Sequence, residues 1–128
     1  MRPKILSPAG DWRSFLVAVE CGADAIYIGG KSFNARQYAE NFTLNEIRSA
    51  VKLARKRGVE VYVTVNTLVF DEELEEVSHY LEELHGIGVD AVIFQDLATL
   101  ELGKRFKGLK LIASTQTTTH NPGAVKFF

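Results

Sequence analysis

The chain has a single cysteine, Cys21, in 128 residues, so it can form no internal disulfide and cannot by itself hold a four-thiolate cluster. Excess charge is also missing. Fifteen Lys and Arg stand against sixteen Asp and Glu, a formal net charge of −1, which excludes the broad basic field of an autonomous nucleic-acid binder and leaves room only for local basic patches. No apolar run approaches the ~20 residues of a membrane helix. The amino terminus lacks the apolar core of a secretion signal. A reducing, cytoplasmic setting without a membrane partner is the expectation. Also absent are GxGxxG, GxxxxGKS or GKT, GxSxG and HExxH, so dinucleotide, P-loop, esterase and zincin readings lack their residues. His79 and His85 are six apart on a helical segment, on roughly opposite faces, and form no metal pair; no metal site is expected.

What is present is a repeated phrase. GADAIYIGG from Gly22, GVEVYVTVN from Gly58, GVDAVIFQD from Gly88 and GLKLIASTQ from Gly108 each place a glycine, a short apolar strand rich in β-branched residues, and a polar or glycine ending. A glycine just past a helix can close the last turn in the left-handed conformation. Continuously apolar strands belong to a buried parallel sheet covered by helices, and each intervening segment is long enough for a crossover helix. The fold class is α/β, with successive βα units on a parallel sheet in one domain.

Taken in order, Ile5 and Leu6 form a first strand that stops at Ser7 to Gly10, and Asp11 caps a helix whose inner face is Trp12, Phe15, Leu16 and Val19. Cys21 reads as a small buried hydrophobe. The segment from Lys31 to Phe42 has neither helical nor strand periodicity and exceeds the ~2 to 6 residues usual for such a connection. It offers Asn34, Arg36, Gln37, Tyr38 and Asn41 as binding groups, or else a cover pinned by Phe33, Tyr38 and Phe42. Thr43 and Glu46 make a capping box, Phe42 and Ile47 a hydrophobic staple, and Leu44, Ile47, Val51 and Ala54 the inner face of the next helix. Lys52, Arg55, Lys56 and Arg57 crowd its carboxyl end, where they suit the helix dipole. A third helix from about Asp71 to Gly86 turns Leu74, Val77, Leu81 and Leu84 inward; Asn121 and Pro122 open a fifth helix. Phe127 and Phe128 are left uncovered, so the chain is expected to be the front part of a longer polypeptide.

Parallel strands share one carboxyl-end rim, and this one collects Ser7, Gly29, Gly30, Asn66, Gln95, Asp96, Ser114, Thr115 and Gln116, with Arg36 from the loop. Arg36 suits an anionic group bidentately. Asp96, the one carboxylate at a strand end, fits a general base, a metal ligand or a helix cap. Ser7 and Ser114 have no identifiable histidine partner, and His120 reads as a loop histidine.

LSPAG (Leu6 to Gly10), GADAIYIGGKSFNAR, Asn41 with Phe42, VYVTVN (Val61 to Asn66), GVDAVIFQD and STQ (Ser114 to Gln116) together resemble the amino-terminal part of the collagenase-like peptidase family U-32, over essentially the whole chain. The resemblance implies the front half of a TIM-like (β/α) barrel, the missing carboxyl-terminal half or a homo-oligomer as partner, and a peptidase activity that this portion alone lacks. It equally implies, through other relatives, a component of an iron–sulfur hydroxylase of RNA bases or a quinone precursor, whose metal or cluster is held by later residues. A non-catalytic half-barrel binding module is the third reading. By motif match, Arg36 and Asp96 are carried over as catalytic candidates, and Gly29, Gly30, Asn41, Asn66, Ser114, Thr115 and Gln116 as candidates for binding a peptide or RNA substrate.

Overall fold

Gly22, Gly58, Gly88 and Gly108 have φ of 86, 68, 95 and 86°, the left-handed region, and each turns the chain out of a helical segment toward a strand. The computed structural model describes residues 1–128. Its elements are β1 (Leu6–Ala9), α1 (Trp12–Glu20), β2 (Ala25–Gly29), α2 (Leu44–Lys56), β3 (Glu60–Val65), α3 (Leu74–Ile87), β4 (Ala91–Phe94), α4 (Leu97–Gly103), β5 (Lys110–Ala113) and α5 (Pro122–Phe127). Single 3-10 turns at Asp71–Glu73 and Thr115–Thr117 precede α3 and follow β5. The strands form one sheet in the order β1-β2-β3-β4-β5, every neighbouring pair parallel.

Chain order equal to spatial order has a physical consequence. Crossovers of the usual right hand then return every helix to the same face of the sheet. Burial follows that rule: Ile26, Ile28, Val61, Val63, Val65 and Val92 are sealed against Phe15, Ile47, Val51, Val77, Leu81 and Leu84 of the helices. The register aligns Pro8, Tyr27, Tyr62, Ala91 and Lys110, and then Gly29, Thr64, Ile93 and Ile112, on the opposite face. There Leu6 is 48% exposed, and Tyr27, Tyr62, Ile93 and Ile112 are only half-buried. The sheet is therefore covered by helices on one face, as in the front half of a TIM-like barrel. Apolar residues on the inner face belong to the hollow of a curving sheet.

Local signals are realised at most helix starts. Thr43 and Glu46 exchange both bonds of the capping box, at 3.1 and 3.0 Å, and Phe42 and Ile47 of the staple are fully buried. Asp11 accepts from the Ser14 amide at 2.7 Å and Asn121 from the Ala124 amide at 2.9 Å. Four expectations are corrected. β1 continues through Ser7 and Pro8, which an edge strand tolerates because Pro8 can leave its missing N–H on the open side. Leu16 is exposed and Ala18 takes its place on the inner face of α1. Tyr80 joins Val77, Leu81 and Leu84 as the buried face of α3, whereas Leu74 is half-buried. Cys21 is exposed at the end of α1, because the turn to Gly22 carries it away from the sheet.

β1 is docked by Asp24. Its carboxylate accepts from the Ile5 amide at 2.7 Å and from both Arg2 guanidinium nitrogens at 2.8 Å, while its amide donates to Ile5 O at 2.9 Å. The Arg2 and Ile5 hydrogen bonds hold the Asp24 carboxyl at about 2, below its ordinary 3.8. A lowered folded-state value stabilises the fold above pH 3.8, and that contribution is lost as pH falls toward about 2. Asp24→Asn is accordingly expected to lower the urea midpoint at pH 7, with the gap to wild type closing as pH approaches 2. A gap that persists unchanged into acid would contradict this account.

β1 and β5 each have one neighbour, so each leaves an unpaired ladder. Phe127 and Phe128, at the end of α5, are 68% and 46% exposed as well, with Phe128 against Phe94 of β4. Purified alone, the chain is expected to self-associate through those edges or to be sparingly soluble. Light scattering that gives a constant 14.2 kDa up to high concentration would sink this expectation.

Candidate functional site

The connection from β2 to α2 has no regular structure, and asparagine side chains give its backbone the partners it lacks. Asn34 and Asn41, 7% and 6% exposed, bond to each other at 2.9 Å. Asn34 Oδ1 also accepts from the Arg36 amide at 3.2 Å and lies 3.1 Å from the Thr64 hydroxyl of β3. Asn41 Nδ2 donates to Arg36 O at 2.8 Å, so both polar groups of the Arg36 backbone are clamped. From the end of β3, Asn66 Oδ1 accepts from the Ala35 amide at 3.1 Å and the Asn66 amide donates to Phe33 O at 3.0 Å. Phe33 and Asn41 take left-handed φ of 54 and 60°, bending the segment back over the strand ends. Phe42 anchors the far end in the core, but Tyr38 is fully exposed and pins nothing.

This loop and the strand ends enclose a cleft of about 380 Å³. Its floor is the inner face of the sheet, with Pro8, Tyr27, Ile93 and Ile112; its wall is the loop, with Asn34, Arg36 and Asn41. Gly29, Asn66, Ser114, Thr115 and Gln116 complete the rim, so seven of the nine candidate residues, counting Arg36 and Asn41, share one cavity. The Arg36 guanidinium, on an exposed side chain, makes no bond within the chain, since its hydrogen bonds run through the backbone alone. Ser114 Oγ accepts from the Gln116 amide at 3.2 Å, which makes it the cap of the turn that presents Thr115 and Gln116.

Two candidates lie elsewhere for clear reasons. Asp96 does not line the cleft: its carboxylate accepts from the Ala98 amide at 2.8 Å and from the Val69 amide at 2.9 Å. It caps α4 and ties down the segment before α3, the helix-cap role weighed against general base or metal ligand. Gly30 faces the core, where a Cβ would stand 1.9 Å from the Tyr80 oxygen. Ser7 and Gln95 are also outside the cleft, and Gln37 and Tyr38 point to solvent. Thr64, Tyr27, Ile93 and Ile112 were not singled out. The alternation along β3, with Thr64 between the buried Val63 and Val65, carried the signal for an inward polar residue.

The cleft lining contains no aspartate, glutamate, histidine or cysteine, and no group of three such residues anywhere in the chain could hold a metal ion. Carboxylate chemistry is kept at the other end of the inner face. Glu60 accepts from the Tyr62 hydroxyl at 2.6 Å, from Lys4 at 3.2 Å and from Lys110 at 3.3 Å. The Tyr62 hydrogen bond, followed by the lysines, holds Glu60 below the usual carboxylate range, and burial with Glu60 pushes Tyr62 up to about 12. That cluster closes the amino-terminal end, where parallel β/α folds place stability and not catalysis.

A singly wound parallel sheet, helices on its outer face and a cleft at its carboxyl rim define a β/α segment of the TIM-barrel type. The chain belongs to peptidase family U32, whose model matches residues 10–128. A solved U32 peptidase structure superposes with a TM-score of 0.76 at 16% identity, over 96% of this chain and 53% of that one. Among curated relatives, an uncharacterized protease of Methanocaldococcus jannaschii is 38% identical over 98% of this chain and 30% of its own length. The tRNA hydroxylation protein P1 of Bacillus subtilis is 35% identical over 99% of this chain and 30% of its own length. A 23S rRNA 5-hydroxycytidine synthase of Escherichia coli is 40% identical over 98% of this chain and 19% of its own length. The chain thus spans less than a third of these relatives. No helix is long and apolar enough to cross a membrane.

The Gly30–Tyr80 approach yields a stability test. The Tyr80 oxygen is buried with no hydrogen-bond partner, and burial pushes its pKa up. Gly30→Ala should cost about 1–3 kcal/mol through overpacking. In the Tyr80→Phe background the nearest remaining ring atom is 3.2 Å away, and the unpaired hydroxyl is gone, so much of that cost should be recovered. Urea denaturation of the four proteins checks this; purely additive penalties would show that the two residues do not meet.

Proposed function

We propose that this chain forms the substrate-binding wall of an enzyme that hydroxylates an RNA base. The observation that carries the reading is the polar set the cleft leaves available: the side-chain amides of Asn66 and Gln116, the free guanidinium of Arg36, whose backbone the Asn34–Asn41 clamp holds, an apolar floor, and no carboxylate, imidazole or thiol. Hydrolysis of a peptide bond needs an activated nucleophile with its base, or a metal, within the cleft. None of those groups lines this wall, and no group that oxidises a base lines it either, so the wall bears on what is bound and not on how it reacts. Side-chain amides carry a donor and an acceptor side by side, as the edge of a nucleobase does, and a guanidinium takes a phosphate bidentately. Tyr27 and Ile112 offer the apolar face against which an unstacked base can lie. Two of the relatives described above are RNA hydroxylation proteins, which supports the same reading.

The iron–sulfur cluster implied by some relatives does not fit the residues present. Cys21 is alone, exposed, and at the end of α1 rather than at the cleft. This chain's own contribution is recognition: Arg36 fixes the anionic group, the asparagine clamp fixes Arg36, and Gln116 and Asn66 orient the base.

Deleting the gene in its source cells is expected to remove a hydroxylated nucleoside from digests of total RNA, read by mass spectrometry. Arg36→Ala at the same locus should lower that nucleoside about tenfold, the loss of roughly 1.4 kcal/mol of anion recognition. Unchanged nucleosides together with lost gelatin hydrolysis would instead favour the collagenase-like reading, with the cleaving groups supplied by residues outside this chain.

A further inference from the structure

A second cavity, also about 380 Å³, opens on the outer wall between α2 and α3, and its lining is of one sign: Arg48, Lys52, Arg55 and Lys56 over a floor of Val51 and Ile87. The four cations recur at i, i+4, i+7 and i+8 on α2, one helical face, over about 12 Å of axis. Across the ion pairs of the chain, none of the four meets a carboxylate, although the adjacent Arg57 pairs with Glu20 at 2.9 Å. Arg55 lies across Gly88, donating to its carbonyl at 3.2 Å, and a Cβ there would stand 2.7 Å from the same nitrogen. The helix dipole accounts for Arg55 and Lys56 in the last turn. It does not account for Arg48 and Lys52, because its effect falls off within that turn. Holding four unpaired cations together in a protein of net charge −1 costs repulsion that an anionic partner would relieve.

We propose that this groove binds the phosphodiester backbone of RNA. The inference rests on the RNA reading of the cleft and extends it. α2 runs antiparallel to the strands, so the groove sits toward the end of the wall opposite the cleft rim and would grip a different part of the same molecule. About 12 Å of cations is long enough to meet roughly three or four successive phosphates of one strand. The apolar floor supports the stems of the lysines and arginines while their heads face the backbone. Such contacts read no sequence; they add affinity for a long or folded RNA and leave selection of the base to the cleft.

The test measures binding of the native full-length protein that carries this segment to folded tRNA and to a short single-stranded oligonucleotide across a salt series. The quadruple variant Arg48→Gln, Lys52→Gln, Arg55→Gln, Lys56→Gln changes only exposed side chains, and its thermal unfolding is followed as a check on folding. The variant is expected to lose at least tenfold in affinity for tRNA at about 100 mM salt, and the slope of log K against log salt should shrink by about 2 to 3. Its affinity for the short oligonucleotide should stay within twofold. An unchanged tRNA affinity and slope, with short-oligonucleotide binding still lost in Arg36→Ala, would overturn the groove and leave the cleft reading standing. Absence of any RNA binding by the wild-type full-length protein at low salt would overturn both. Displacement of tRNA by polyglutamate as effective as by polyuridylate would overturn RNA in favour of an acidic protein partner.

Discussion

Everything at the rim depends on how closely the Asn34 side chain approaches the end of β2. Its amide lies where a Cβ on Gly29 would stand, with the nitrogen 2.1 Å and the Cγ 2.6 Å from that position. Only glycine leaves this space, and only a side-chain amide can use it: one oxygen takes the Arg36 amide and the Thr64 hydroxyl while the nitrogen reaches Asn41. An unpaired buried amide would cost about 1–3 kcal/mol, so the network is held as a unit. The irregular loop is thereby tied to the strands beneath it at Asn34, Ala35, Arg36 and Asn41. A free guanidinium on a flexible loop would lose much of its binding energy to ordering; here the backbone of Arg36 is ordered in advance.

The sheet beneath divides its labour by face and by end. The outer face, sealed by α1, α2 and α3, carries the continuous apolar core, and polar variation there would be expensive. The inner face is free to be specialised because no helix packs on it. At the amino-terminal end it is filled by Glu60, Tyr62, Lys4 and Lys110, whose charges compensate one another. At the carboxyl end it is left hollow, apolar below and amide-rich above. Thr64 joins the two regions: it keeps the register of β3 and hands its hydroxyl to the loop.

Much of this was legible in the sequence. Four glycines set the period of the βα units, and the capping box at Thr43 with the staple at Phe42 fixed the start of α2, because those signals act over a few residues and tertiary packing agrees with them. The loop was legible by its lack of periodicity. The sequence left choices open, or misled, where one residue type serves two ends. Asp96 at a strand terminus looks the same whether it faces a substrate or a backbone amide, and only the position of Val69, 27 residues earlier, decides it. Gly30 resembled a rim glycine, yet it makes room for Tyr80 from a helix far along the chain. Cys21 and Leu16 followed helical periodicity, which cannot tell where a helix ends or how wide its covered stripe is. The strands' composition alone did not distinguish a barrel interior from a second helix layer; the family resemblance supplied the barrel.

The composition of the cleft is compatible with more than one chemistry, and the relatives' names describe a protease and RNA hydroxylation proteins. Amides, hydroxyls and a guanidinium stabilise a bound group by hydrogen bonds and charge without moving a proton near neutral pH. A wall of this kind constrains where a planar or anionic group sits and leaves open what happens to it. Catalysis requires interactions that are stronger in the transition state than in the bound substrate, and fixed neutral donors supply these only when charge develops beside them. On the proposed reading the reacting groups would face this wall from across the hollow, over the floor of Tyr27, Ile93 and Ile112. Recognition and reaction are separable in such an arrangement, so a change of chemistry on the facing side would leave the Gly29–Asn34–Arg36 geometry intact.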